Sequence, residues 1–248
     1  MKLYILGSSS SGNAYLLQSE TTGQVLAIEA GIKFSKVKKA LAYNIGSIAG
    51  CIISHEHGDH AKYAHEYVKA CIPVYTSMGT AQAINIVGSP FVHTLHGMEP
   101  CTIGDFKVIP FDVQHDAAEP FGYLIRHHEC GDVLFATDTY YLKYRFPGLS
   151  NMLLECNYRQ DILDHNIEAG LVSPAIRARI IKSHMSYDTC LETLQANDLS
   201  MINNIVLIHL SNDNSNADEF VAGISKATGK TVLAARKDMV IDFNKTPY

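Results

Sequence analysis

Three imidazoles and the Asp59 carboxylate crowd one short stretch, Ser54-His55-Glu56-His57-Gly58-Asp59-His60, directly after the apolar run Cys51-Ile52-Ile53. Histidine and aspartate are poor core residues unless their polar atoms find partners, so packing does not account for the cluster. Gly58 lets the backbone turn inside it. A divalent metal is the economical partner: imidazole nitrogen and carboxylate oxygen both suit Zn²⁺, and Mn²⁺ or Fe²⁺ accepts the same mixed set. The stretch names a metal site without naming the metal.

Three later polar residues each lie just beyond an apolar run. They are His115 after Phe111-Asp112-Val113-Gln114, Asp138 after Leu134-Phe135-Ala136-Thr137, and His209 after Ile205-Val206-Leu207-Ile208. In layered α/β folds, residues at strand ends converge on one edge of a sheet while the strands stay apolar. Singly, each has a plainer reading as a solvated or turn residue. Their recurrence at strand ends is what joins them to the first cluster.

The elements that must position these residues can be read in order. Residues 2–6, 14–18 and 24–28 read as strands, the last two joined at Thr21-Thr22-Gly23 as a hairpin. The loop Gly7-Ser8-Ser9-Ser10-Ser11-Gly12-Asn13 between the first two is either a plain turn or, through hydroxyls and backbone N–H groups, a phosphate contact. Residues 35–41 have helical spacing, with three lysines expected on a solvated face. Residues 48–54 lead as a strand into the histidine cluster, 60–70 read as one helix, 73–75 as a strand and 80–85 as a short helix. Five strand-like runs follow, 91–95, 101–103, 106–113, 121–125 and 133–137, read as a meander or second sheet. Strands at 152–155, 205–208 and 232–233 then alternate with helices at 162–170, 174–182, 189–197 and 217–227. The order of elements predicts α/β layering in a single domain over 1–248.

The chain has 248 residues, 47% of them hydrophobic and 18% charged, enough to bury a sizeable core. No apolar run reaches membrane-spanning length, and the start breaks too soon into Gly and Ser for a signal peptide, so a cytoplasmic protein is expected. Six cysteines without CxxC spacing read as small buried hydrophobes rather than a disulfide frame. A net charge of −5 means that a nucleic-acid partner has to be drawn by a local basic patch or by metals. Nothing calls for an obligate protein partner.

The pattern His-x-His-x-Asp-His, followed in order by His115, Asp138 and His209, resembles the metallo-β-lactamase superfamily. The surrounding stretches 7–14, His115-Asp116-Ala117 with Glu119-Pro120-Phe121-Gly122-Tyr123, Ala136-Thr137-Asp138-Thr139-Tyr140 and Ser183-His184-Met185-Ser186 resemble its small YycJ/WalJ-like branch, which is related to ribonuclease Z and to phosphonate-pathway phosphodiesterases. The resemblance implies a four-layer αββα sandwich, two mixed sheets flanked by helices. It also implies two divalent metals, Zn or Mn: His55, His57 and His115 on the first, Asp59, His60 and His209 on the second, and Asp138 bridging both. Such a pair activates a shared hydroxide for in-line attack on a phosphodiester.

By the same resemblance Asp59 and His184 act in catalysis, His184 standing above the metals to steady the phosphate or protonate the leaving oxygen. A surface histidine capping the next helix is the plainer reading of His184. Glu29, where the family has aspartate, is expected to orient ligands by hydrogen bonding, its longer arm placing the local packing in question. Ser9, Ser10, Asn13, Arg177 and Arg179 are candidate substrate contacts; the arginines, with Lys182, form either an anion-attracting helix face or a solvated one.

The expected activity is that of a DNA exonuclease. A phosphodiesterase for small cyclic or nucleotide diesters is the nearest competitor, a thioester or lactone hydrolase is weaker, and a metal-binding module without turnover is the reading from another class. No long glycine-rich basic insertion for gripping tRNA is visible.

Overall fold

The structure is a computed structural model and describes residues 1–246. Two seven-stranded sheets face each other. The first sheet takes β1 (Lys2–Gly7), β2 (Ala14–Gln18), β3 (Val25–Ile28), β4 (Ile48–Ile52), β5 (Val74–Ser77) and β6 (Val92–Leu95), with β14 (Met239–Asp242) completing its edge beside β1. The second runs from β7 (Cys101–Ile103) through β8 (Phe106–Asp112), β9 (Phe121–His127), β10 (Gly131–Ala136), β11 (Leu149–Glu155) and β12 (Asn204–Ile208) to β13 (Val232–Ala234).

Each sheet is mixed in the same way. β14, β1, β2 and β3 pair antiparallel and β3 to β6 parallel, while β7 to β10 pair antiparallel and β10 to β13 parallel. Parallel strands are covered on both faces, which is why β11 is buried at every residue, its polar Ser150, Asn151 and Glu155 included.

Three apolar layers follow from this alternation. Leu3, Ile5, Leu17 and Ile28 of the first sheet meet Phe106, Tyr123, Phe135 and Val206 of the second between the sheets. The outer face of the first sheet packs under α1 (Phe34–Ala40), α3 (Ala64–Lys69) and α4 (Met78–Ala83) through Phe34, Val37, Tyr67 and Ala81. That of the second packs under α7 (Tyr187–Ala196) and α8 (Ala217–Thr228) through Cys190, Leu194, Phe220 and Ile224. This is the expected four-layer αββα sandwich with two mixed sheets. The serine or asparagine before α4, α7 and α8 caps each helix, Ser77, Ser186 and Asn216 accepting from Thr80, Thr189 and Glu219 N–H groups.

Four sequence readings change. The run at 91–95 does not join the later strands; it becomes β6, parallel to β5, on the edge of the first sheet. β14 was not read at all, and closes the opposite edge against β1. The helix read over 60–70 is broken into α2 (Gly58–Ala61) and α3. The Asp59 carbonyl accepts from Asn13 N at 2.8 Å, the His60 carbonyl from Ala30 N at 2.7 Å, and Tyr63 N donates to Ala30 O at 2.9 Å, so groups that would continue a helix are taken by neighbouring segments. Finally, Cys71 is exposed and Cys101 half-buried, whereas the other four cysteines are buried as read. Among the described residues no helix is long and apolar enough to cross a membrane.

Candidate metal centre

The parallel halves of both sheets end at one edge, and there the polar residues collect. Glu29 follows β3, His55 follows β4 and Asp138 follows β10, while Glu155 ends β11 and His209 follows β12. Three of them sit in the left-handed region that side chains rarely adopt: Glu29 at φ 68°, Asp138 at φ 48° and His209 at φ 53°. Each strand thus turns away sharply on a residue whose side chain stays at the site.

His55, His57, His115 and Asp138 each offer a ligand atom within 4.8 Å of the others, and Asp59, His60, Asp138 and His209 do the same. Asp138 belongs to both groups. Its Oδ2 lies 3.4 Å from His55 Nε2 and 2.9 Å from His60 Nε2, and its Oδ1 3.3 Å from His209 Nδ1. The Nε2 of His209 is 3.1 Å from Asp59 Oδ2, and His115 Nε2 is 3.1 Å from His57 Nδ1. All seven residues of the expected ligand set therefore come together at one edge.

These residues fit a pair of cations. His55 Nε2 is buried without a hydrogen-bond partner, an atom whose lone pair needs a ligand. Burial, reinforced by His60, pushes His55 well below its ordinary value, and burial also lowers His115, so both imidazoles are neutral donors. Burial opposes ionisation of Asp138, yet His209, His60 and His55 hold its carboxyl well below the usual carboxylate range. Burial likewise opposes charge on His60 and His209, but Asp138 leads the carboxylates that outweigh it in both. Two carboxylates amid five imidazoles, some protonated for want of another positive charge, is the donor set a divalent pair replaces protons in.

Surrounding groups aim the ligands. His115 Nδ1 donates to the Ser183 carbonyl at 2.9 Å, turning Nε2 inward, and Ser54 Oγ lies 2.9 Å from His55 Nδ1 with the same result. Glu29, fully buried, accepts from Ser54 N at 3.3 Å and stands 3.5 Å from His60 Nδ1, so its longer arm is accommodated behind the ligands. Asn13 is buried with its amide 3.2 Å from His60 Nε2 and 3.3 Å from Asp59 Oδ2, beside the atoms that His60 and Asp59 turn to the centre. Gly31 is held by contact: a Cβ there would lie 1.7 Å from the Asp59 carbonyl oxygen.

The other candidates are placed as follows. His184 is half-buried at the end of α6 (Pro174–Ser183), its ring stacked on His209 with centroids 5.4 Å apart and its Nδ1 3.8 Å from Asp138 Oδ1. Ser9 and Ser10 lie on the loop after β1, half-buried and exposed in turn. Arg179 reaches Asp116, beside His115, at 3.3 Å, whereas Arg177 is turned to Asp164 of α5 (Gln160–Glu168) at 2.8 Å. The two arginines therefore do not form one anion-attracting face.

Sequence reasoning missed several positioning residues. Glu155 is the foremost: Oε1 meets His184 Nδ1 at 2.7 Å and Oε2 accepts from Thr139 N at 2.8 Å and Met185 N at 3.2 Å. Its signal was an acid closing the apolar run Met152-Leu153-Leu154, the pattern that exposed Asp138. Ser8 accepts from His209 N at 2.9 Å, Asn157 donates to the His209 carbonyl at 2.7 Å, and Glu56 ties the two ligand loops by accepting from Ala118 N at 2.8 Å. Nothing in their local sequence marks these roles.

Comparison with known proteins agrees with this geometry. The model of the beta-lactamase superfamily domain matches residues 28–210. The exodeoxyribonuclease YycJ of Bacillus anthracis is 29% identical over 231 residues, covering 85% of this chain and 83% of the relative. Among solved structures, the metallo-β-lactamase fold protein YhfI from Bacillus subtilis superposes with a TM-score of 0.75 at 16% identity, covering 97% of this chain and 98% of that one. A diphosphatase of the PhnP family gives 0.70 at 16% identity, with 98% of each chain covered.

Proposed function

The chain belongs to the beta-lactamase superfamily, and we propose that within it the protein is a phosphodiester hydrolase dependent on two divalent metals, acting on DNA as an exonuclease. The observation that carries this reading is the shared carboxylate: Asp138 stands both with His55, His57 and His115 and with Asp59, His60 and His209, so one carboxylate would serve two ions. The likeness to the exodeoxyribonuclease YycJ supports DNA as the substrate.

His55, His57 and His115 would hold one ion and Asp59, His60 and His209 the other, with Asp138 available to both. Bound there, a pair of Zn²⁺ or Mn²⁺ supplies an acidified water and positive charge against the phosphate oxygens. Asp59, the more open of the two carboxylates, has Oδ2 turned to His60 and His209, so its other oxygen would orient the attacking water and accept its proton. His184 delivers a proton to the leaving oxygen. Burial disfavours its charged form, but Glu155 and Asp138 outweigh burial and raise its pKa, favouring the protonated ring the role needs. Glu29 holds His60 from behind at Nδ1, and the Asn13 amide steadies Asp59 Oδ2 and His60 Nε2.

The test is hydrolysis of 5′-labelled and 3′-labelled DNA and RNA, single- and double-stranded, with Mn²⁺ and with Zn²⁺. Stepwise shortening of DNA, abolished by chelation and by Asp138→Ala, is the expected result. Full hydrolysis by the chelated protein, or none with either metal, overturns the reading; preference for short diesters over DNA moves the substrate class alone.

A further inference from the structure

Next to the candidate centre two hollows share Leu6, Lys36 and Lys237 and so form one trough. The inner hollow, of about 300 Å³, is floored by Gly7, Ser8, Ser9, Ser11 and Gly12. This floor adjoins the centre directly, because Ser8 Oγ accepts from His209 N at 2.9 Å and Asn13 N donates to the Asp59 carbonyl at 2.8 Å. The outer hollow, of about 460 Å³, is walled by Lys36 and Lys39 on one side and by Lys237 and Asp238 on the other.

The lysines of α1 do not form the uniform solvated face expected from their spacing. Lys38 lies over the Phe34 ring at 5.0 Å, whereas Lys36 and Lys39, one turn apart, both face the trough. Lys36, Lys39 and Lys237 are exposed. Among the described residues Lys237 pairs with the exposed Asp238 at 3.7 Å, and Lys36 and Lys39 form no ion pair. In a chain of net charge −5, three ammonium groups against a single carboxylate make a local positive strip, reached from the centre across the serine loop. The Lys237 wall is held in place by Asp238 N, which donates to Ile5 O of β1 at 2.8 Å.

We propose that this trough carries a single nucleic-acid strand away from the centre, with Lys36, Lys39 and Lys237 tracking its phosphates. The proposal rests on the phosphodiesterase reading above and adds to it the side on which a polymer lies. A strip of point charges suits the repeated anionic backbone of a strand. None of the seven donor residues lines the trough, so its lysines separate polymer binding from small-diester turnover.

The experiment compares the metal-loaded wild type with a Lys36→Ala/Lys39→Ala/Lys237→Ala variant on a labelled single-stranded oligonucleotide and on bis(p-nitrophenyl) phosphate. The oligonucleotide KM should rise roughly 10- to 100-fold near 0.1 M salt, and the slope of log(kcat/KM) against log[salt] should flatten by about 2, three contacts at about 0.7 each. Turnover of the small diester should stay unchanged. Fluorescence anisotropy with metal-stripped protein should show the same loss of oligonucleotide affinity, independent of hydrolysis. Unchanged oligonucleotide KM and salt slope, in a variant that melts like the wild type, overturns the trough while leaving the phosphodiesterase reading intact. An equal loss on both substrates overturns it as well, since the lysines would then act on the centre. A wild type that hydrolyses neither substrate overturns the underlying reading instead.

Discussion

The Nδ1 of His184 stands 2.7 Å from Oε1 of Glu155, a fully buried carboxylate at the end of β11. The other oxygen of Glu155 is occupied by the backbone N–H groups of Thr139 and Met185. Thr139 follows Asp138 and Met185 follows His184, so one carboxylate fixes the backbone beside a metal ligand and the ring of the proposed proton donor together. Burial opposes its charge, but His184 holds it ionised below the usual range, leaving a fixed anion to sustain an imidazolium.

Glu155→Gln should therefore separate proton delivery from metal binding. We expect kcat on DNA to fall by about 10²–10⁴, the usual contribution of a general acid. A p-nitrophenyl diester, whose leaving group needs no proton, should lose much less. Metal content by elemental analysis should stay at the wild-type value; equal losses on both substrates would instead assign Glu155 to holding geometry.

Glu29 acts on His60 from behind, at 3.5 Å, and receives the Ser54 N–H. In Glu29→Gln the negative charge behind the imidazole is gone while its size remains. Affinity for the metal shared by Asp59, His60 and His209 should drop roughly 10- to 100-fold. Competition against a chromogenic chelator measures this, and the group around His57 and His115 should be spared.

The metal-free protein should lose stability as pH rises. Burial disfavours protonated His209, but Asp138, Asp59 and Glu155 raise its pKa from 6.5 to about 10. A raised folded pKa stabilises fully below the unfolded value, and that contribution is lost as pH climbs from about 6.5 through about 10. Thermal melts of chelated protein should accordingly fall across this window. The metal-loaded protein should show a flatter profile, and titrating metal at pH 7.5 in buffers of different ionisation enthalpy should reveal proton release.

Gly31 tolerates no side chain, since a Cβ would fall 1.7 Å from Asp59 O and 2.8 Å from Asn13 N. Gly31→Ala should cost roughly 1–3 kcal/mol as an overpacked site, with Asp59 displaced and its metal weakened. Gly58→Ala, where a Cβ meets nothing within 4 Å, is the control and should melt near the wild type. A Gly31→Ala protein with wild-type melting and metal content would contradict this packing.

By itself the sequence determined most strands, the layering and the local histidine cluster, because apolar runs, glycine turns and ligands within one loop are short-range information. It also marked His115, Asp138 and His209, as polar residues closing apolar runs. What it left open was distance in space. Asp59 and His209 are 150 residues apart in the chain and 3.1 Å apart across the cleft, a contact produced only when the parallel halves of two sheets end at one edge. Tertiary contact also broke the helix read over 60–70, because Asn13 and Ala30 capture its backbone groups. It set Glu29, Asp138 and His209 in left-handed backbone, a conformation that is uncommon for any of the three and that nothing in the neighbouring sequence announces for Glu29. Above all, only folding placed Glu155 beneath His184, since a buried acid is recognisable in sequence only once its partner is known.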